Sequence, residues 1–142
     1  MARVAGIDFG LKRIGIAVSD AGKTIAFPVG VVPGGAKAIQ EIKKALGSKL
    51  SEIDEIVIGL PLLLSGKEGD MSNAAKLFGK KLEEELKIPI RWIDERFSSK
   101  LADRSLREIH LKRKERTEIL DTTAAVMLLQ SYLNEKHLRN HS

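Results

Sequence analysis

Hydrophobic residues in the N-terminal part of the chain follow the spacing of β-strands. Two short apolar runs, residues 4–7 and 14–18, are separated by a glycine-containing segment, which predicts a β-hairpin. A third run, residues 24–32, predicts another strand. Pro28 interrupts that run, and proline cannot donate a hydrogen bond to a sheet, so this strand is expected at a sheet edge or a bulge.

The rest of the chain alternates between helical and strand patterns. Apolar side chains recur at helical spacing in residues 36–46, whereas residues 54–60 are almost wholly apolar, as in a strand buried on both faces. Further helices are predicted over residues 70–86, 98–110 and 117–136, and a short strand over residues 90–94. This order predicts an α/β fold: a mixed five-stranded sheet that starts with an antiparallel hairpin, continues with parallel strands and carries helices on both faces.

The length and composition are those of an ordinary globular chain. The 142 residues predict a single domain over residues 1–138 with a flexible tail at 139–142. The absence of cysteine excludes disulfides and thiolate metal sites. No signal peptide is predicted, and no apolar run approaches the roughly 20 residues of a membrane span. We therefore expect a cytoplasmic protein without a membrane partner.

The positive charge of the chain is concentrated in one segment. The formal net charge is +5, and residues 100–116 hold seven basic and three acidic side chains, a balance of +4. Concentrated positive charge favours a nucleic-acid partner because each phosphate contact releases counterions; a solvated helix face is the alternative. The candidate phosphate-binding residues are Lys112, Arg113, Lys114 and Arg116, together with Arg13 in the hairpin.

Three acidic residues lie where the pattern is otherwise apolar or leaves a strand. Asp8 is in the first strand, where it should be half-buried, Glu95 follows the strand 90–94, and Asp121 lies near the start of the last helix. Converging carboxylates repel each other unless a cation neutralises them, and oxygen ligands favour Mg²⁺ or Mn²⁺. Each acid alone is better explained as a cap or an ion-pair partner. As a set, they predict a site for one or two ions, completed by substrate, that supports phosphodiester hydrolysis.

Four motifs are spread over nearly the whole chain: residues 6–20 (GIDFG…RIGIAVSD), 59–61 (GLP) with the following Gly66 and Gly69, 94–99 (DERFSS) and 121–133 (DTTAA…LQSYL). Together they resemble the YqgF family, also known as the Holliday junction resolvase or pre-16S rRNA nuclease family. The resemblance implies a ribonuclease H-like three-layer fold and assigns Asp8, Glu95 and Asp121 as the catalytic acids. It also implies a cytoplasmic nuclease of structured nucleic acid that matures the 5′ end of 16S ribosomal RNA.

The chain departs from the family pattern at two places. Residues 62–65 (LLLS) follow the GLP motif, where the family often has a polar residue and a glycine. Residues 97–99 (FSS) follow Asp-Glu-Arg, where a pair of threonines is common. Neither departure changes an acid, but the first leaves the substrate contacts of that loop open.

Three other functions are compatible with the sequence. One is a Holliday junction resolvase in DNA recombination and repair, and another is a nucleic-acid-binding module without activity. The third is a kinase or ATPase of the actin and sugar-kinase type, because Asp8 and Gly10 resemble a phosphate-binding hairpin. Those enzymes close two such domains around a nucleotide, which argues against this reading for 142 residues. The sequence does not decide between RNA and branched DNA, between monomer and homodimer, or on a ribosomal partner.

Overall fold

In the computed structural model, which describes residues 2–60, 70–94 and 124–136, strands and helices follow the order expected from the sequence. The elements are β1 (Arg3–Asp8), β2 (Arg13–Ser19), β3 (Ala26–Pro33), α1 (Ala38–Leu46), a 3₁₀ helix (Gly47–Glu52), β4 (Ile53–Leu60), α2 (Asp70–Leu86) and β5 (Ile90–Asp94). Residues 124–136 form a further helix, named here helix 124–136. None of the helices in these three ranges is long and apolar enough to cross a membrane.

The strands form one mixed sheet in the order β3-β2-β1-β4-β5. β1 pairs antiparallel with β2, and β2 with β3, whereas β4 runs parallel to both β1 and β5. The expected α/β fold with a mixed five-stranded sheet is therefore confirmed. β3 is an edge strand, and its register shifts between the partners of Ile16 and Ala17, next to Pro28. β3 therefore has both features expected from Pro28, a position at the sheet edge and a bulge.

Two apolar clusters lie on opposite faces of the sheet. On one face, Ile7 and Ile58 belong to the cluster that contains Ile42 of α1 and Leu82 of α2. On the other face, Val4 and Val57 belong to the cluster that contains Leu129 of helix 124–136. Successive side chains of a strand point to opposite faces, and both faces of β1 and β4 are apolar, so helices cover both. The result is the expected three-layer arrangement.

The boundaries differ from the expected ones where local hydrogen bonding intervenes. β3 begins at Ala26 rather than at residue 24 because Asp20 organises the preceding turn, in which Lys23 has φ 57°. The 3₁₀ helix between α1 and β4 was not expected from the apolar spacing. The expected helix over 98–110, the basic residues 112–116, the leucines at 62–64 and the tail at 139–142 lie outside the described residues.

Candidate active site at the end of strand β1

Asp8 is the last residue of β1, at the end of the sheet where its parallel neighbour β4 also ends. It pairs in register with Gly15 of β2. The residue is half-buried, as the sequence predicted, and its Oδ1 atom is buried. Withdrawing a carboxylate oxygen from water costs free energy, which is recovered through hydrogen bonds, paired charge or a metal ion. The partial burial of Asp8 at the edge of the apolar core therefore lowers the stability of the fold unless such an interaction compensates for it.

The pleat directs Asp8 to the face of the sheet that helix 124–136 covers. Side chains alternate along β1, so Asp8 shares a face with Val4 and Gly6. Ile7 pairs with Ile58, and Gly59 pairs with Ile93, so Gly59 is the β4 residue level with Asp8. Gly59 has no side chain, so β4 places none on this face between Asp8 and Ile93 of β5. Ile93 packs against the same apolar cluster.

Helix 124–136 runs antiparallel to β1, with its N-terminal end towards Asp8. A Cβ atom placed on Gly6 would lie 2.7 Å from Leu129 Cβ and 3.3 Å from the Ala125 carbonyl oxygen. At the other end of the helix, Lys136 Nζ lies 3.4 Å from an oxygen of Glu55, which is the β4 partner of Val4. Towards its C-terminus the helix therefore approaches the start of β1, and in the opposite direction it leads past Gly6 towards Asp8.

The loop after Asp8 is tightly held. A Cβ on Gly10 would lie 2.5 Å from the Arg13 carbonyl oxygen, so only glycine fits that turn without a shift. The Gly34 amide donates a 2.9 Å hydrogen bond to the Lys12 carbonyl. The Phe9 ring packs on Phe78 of α2, with 5.0 Å between ring centroids. These contacts fix the backbone on the C-terminal side of the candidate catalytic acid.

The structure brings one further predicted site residue to this end of the sheet. Arg13 starts β2, two positions before the Gly15 that pairs with Asp8, and its side chain is exposed. Glu95 and Asp121 lie outside the described residues, as do Lys112, Arg113, Lys114 and Arg116. Within residues 2–60, 70–94 and 124–136, no three His, Cys, Asp or Glu side chains are grouped as a metal site would need.

Two other polar clusters of the described chain lie away from this site. Asp20 Oδ1 accepts hydrogen bonds from the backbone N–H groups of Ile25 and Thr24, which lower the pKa of the carboxyl. Glu55, with a side chain only 10% exposed, receives Arg91 Nε at 3.3 Å and Lys136 Nζ at 3.4 Å. Both clusters belong to the opposite end of β1, near Val4, and their groups are satisfied within the fold.

Sequence reasoning assigned no role to Gln130. Its Oε1 accepts a 2.9 Å hydrogen bond from the Ala26 amide, and its Nε2 donates a 2.9 Å bond to the Thr24 carbonyl. The signal for such a role was visible: Gln130 is a polar side chain directly after a long apolar run of the last helix. Nothing in the spacing, however, identifies β3 as its partner.

Comparisons with known proteins show the family to which this chain is related. A family model described as "RuvX: Holliday junction resolvase" matches residues 2–135. A protein of Protochlamydia amoebophila named "Putative pre-16S rRNA nuclease" is 43% identical, and the match covers 95% of each chain. A protein of the same name from Sulfurihydrogenibium is 38% identical over 100% of this chain and 97% of its own.

Solved structures share the fold at low sequence identity. A Thermus thermophilus RuvC structure has a TM-score of 0.51 and 16% identity, covering 95% of this chain and 96% of its own. RuvC from the same organism in complex with a Holliday junction substrate has a TM-score of 0.50 and 18% identity, with 96% of each chain covered. These likenesses support the ribonuclease H-like architecture of the sheet and its helices.

Proposed function

The chain belongs to the RuvX (YqgF) family and is a nuclease, a hydrolase of phosphodiester bonds, and we propose that it is metal-dependent and processes the 5′ end of pre-16S ribosomal RNA. The observation that carries the proposal is the placement of Asp8. A half-buried carboxylate ends the central strand β1, lies level with Gly59 of β4, and lies ahead of the N-terminal end of helix 124–136.

The topology gives a reason why Glu95 and Asp121 would join Asp8. Glu95 is two residues beyond Ile93 in the sequence, and alternation would give the two residues the same face if the extended chain of β5 continued. Asp121 precedes Ala125 by four residues, about 6 Å along a helix. Asp8 is two residues beyond Gly6, about 7 Å along a strand. Because the Ala125 carbonyl packs over Gly6, helical spacing continued to Asp121 would bring that acid level with Asp8.

The donor set fits Mg²⁺ or Mn²⁺. Asp8, Glu95 and Asp121 offer only carboxylate oxygens, the hard ligands these ions prefer, and the chain has no cysteine to favour a softer metal. A cation bound there would lower the pKa of an attacking water and neutralise charge on the leaving oxygen. In this proposal Asp8 holds its carboxylate rigidly at the end of the sheet, while Glu95 and Asp121 complete the negative pocket.

The basic residues would bind the substrate backbone. Arg13 lies at the same end of the sheet as Asp8 and is exposed. Lys112, Arg113, Lys114 and Arg116 supply a dense positive charge that attracts phosphates without reading sequence. Binding of this kind would orient a structured RNA, and the acids would select the bond that is cut. The work would take place in the cytoplasm, on ribosomal precursor particles.

The comparisons support two candidate substrates, a precursor RNA first and a DNA junction second. The relatives named for pre-16S rRNA match nearly the full length of this chain at 38–43% identity. The family model carries the description of a Holliday junction resolvase, which favours a four-way DNA junction as the second candidate. The experiment is a competition in which both labelled substrates are offered at equal concentration in Mg²⁺. We expect cleavage at the mature 5′ end of the RNA; cleavage of the junction alone would favour the second candidate.

A further inference from the structure

Gln130 joins helix 124–136 to the backbone of the edge strand β3. Its carboxamide accepts from Ala26 N and donates to Thr24 O, both at 2.9 Å. The second Nε2 hydrogen points to Asn134 Oδ1, at 3.1 Å, one turn along the same helix. The amide orientation follows from chemistry, because a backbone N–H can only donate and a backbone carbonyl can only accept. The side chain therefore takes the place of a pairing strand at the start of β3.

The neighbouring residue supplies a second fixed point on the sheet. Leu129 packs on Gly6 of β1, where a Cβ atom would be only 2.7 Å away. β1 and β3 are separated by β2, so these two contacts attach the helix at points about 10 Å apart across the sheet. The apolar contacts of Leu128, Leu129 and Leu133 hold the helix on the sheet, but such contacts are not directional. The planar hydrogen-bonded amide of Gln130 adds a directional contact that restricts rotation of the helix about its axis and sliding along it.

We infer that Gln130 is a positioning residue of the nuclease: its hydrogen bonds to Ala26 and Thr24 set the rotation and axial position of helix 124–136 over β1, the strand that ends in Asp8. This inference rests on the proposed function, in which Asp8 holds the cation together with Asp121, an acid four residues before Ala125 in the sequence. Gln130 itself makes no contact with substrate in this inference. Its effect on the rate would come from the position of the helix, because a small displacement of a catalytic group can lower a rate about 100-fold.

The test compares two variants that break the same contact from opposite sides. Gln130→Met keeps the side-chain length and removes both hydrogen bonds to β3. Ala26→Pro removes the N–H donor, which points away from β2 to Gln130, so the sheet ladder keeps its bonds. Lys136→Met is the matched control: it removes a polar contact of the same helix, to Glu55, at the end remote from Asp8. Three quantities are measured for each variant, at a temperature below its thermal unfolding midpoint. They are kcat, KM for a precursor RNA and the Mn²⁺ concentration that gives half the maximal rate.

A positioning role and a structural role give different results. We expect Gln130→Met to lower kcat about 10- to 100-fold and to raise the half-saturating Mn²⁺ concentration several-fold, with KM for RNA changed less than about twofold. Ala26→Pro should change the same quantities in the same direction, and Lys136→Met should leave them within about twofold. Should Gln130→Met not fold, Ala26→Pro decides the question alone. Wild-type kcat and Mn²⁺ dependence in the folded variants would overturn the inference.

The failure of the inference can be told apart from failure of the proposed function. The Asp8→Asn variant is measured in the same series. An inactive Asp8→Asn beside a fully active Gln130→Met would reject the positioning role and leave the metal site intact. A fully active Asp8→Asn would reject the proposed site itself, and the positioning role with it.

Discussion

Gly6 of β1 and Leu129 of helix 124–136 lie so close together that a Cβ atom on Gly6 would be 2.7 Å from Leu129 Cβ. Real Cβ atoms do not approach at that distance, so either the helix or the strand would have to move. The glycine thus permits the close approach of the helix to the strand that ends in Asp8. A glycine inside a strand often marks the close approach of a ligand or of another backbone, and at Gly6 the neighbour is helix 124–136 of the same chain.

Gly6→Ala should destabilise the fold through overpacking. The added methyl group meets Leu129 Cβ and the Ala125 carbonyl oxygen, neither of which is the end of a flexible side chain. We expect a loss of about 1–3 kcal/mol in the free energy of unfolding in urea. Gly22→Ala is the control, because its Cβ would meet only ordinary contacts at 3.4 Å and beyond, and it should stay within about 0.5 kcal/mol. Equal stability of the two variants would contradict the close approach.

The sheet could be read from the sequence because its signals are local. The apolar runs of β1, β2 and β4 have strand spacing, and Pro28 marked β3 as an edge strand. The position of Asp8 at the end of β1 followed from the same pattern. The order of the elements predicted helices on both faces, and the apolar pattern singled out the three acids. The ribonuclease H-like fold and the catalytic role of the acids came from the family resemblance, since a strand pattern does not say which strands are neighbours.

Other features could not be predicted, because they depend on residues far apart in the chain. Gln130 reaches Ala26 over 104 positions, and Lys136 reaches Glu55 over 81. No spacing rule links such pairs before the helix has been placed on the sheet. The start of β3 was misplaced for a local reason: Asp20 accepts from two backbone amides and thereby prolongs the turn. Turn chemistry of this kind delays the start of a strand despite the β propensity of its first residues.

Asp20 should contribute stability at neutral pH that is lost in acid. The backbone N–H groups of Ile25 and Thr24 hold its pKa below the ordinary value of 3.8. A depressed pKa stabilises the fold above the unfolded-state value, and this contribution disappears as the pH falls through the lower folded-state value. The free energy of unfolding of the wild type should therefore exceed that of Asp20→Asn at pH 7, and the difference should shrink towards pH 3. A difference that is constant over this range would show that the charge is not involved.

The basic segment should control the salt dependence of RNA binding. Each phosphate contact made by Lys112, Arg113 or Lys114 releases a counterion, so replacing all three by alanine should lower the slope of log K against log salt by about two to three. Replacing Lys43, Lys44 and Lys49 by alanine removes the same charge elsewhere and serves as the control. Affinity unchanged at low salt in the first variant would mean that the segment is only a solvated face.

Metal affinity should depend on the substrate. Mg²⁺ and its substitutes keep several waters and are often completed by substrate phosphates, so three carboxylates without RNA should bind them weakly. Two Mn²⁺ titrations, with and without a non-cleavable hairpin RNA, measure this difference. We expect the substrate to tighten Mn²⁺ binding, and the Asp8→Asn variant to lose the effect. Equal affinity in both titrations would show that no phosphate oxygen is a ligand, and would remove the main support for a two-ion mechanism.

The central claim is that Asp8 holds a divalent cation for phosphodiester hydrolysis. The most direct measurement is cleavage of a precursor 16S RNA bearing its 5′ leader by wild-type protein and by Asp8→Asn, in Mg²⁺, Mn²⁺ and EDTA, with the unfolding midpoint recorded for both. Asn preserves the shape of the side chain but removes its charge from the end of β1. We predict wild-type cleavage with either ion and none in EDTA, and a folded Asp8→Asn that is inactive in every condition. Full cleavage by Asp8→Asn, or by the wild type in EDTA, would contradict the claim.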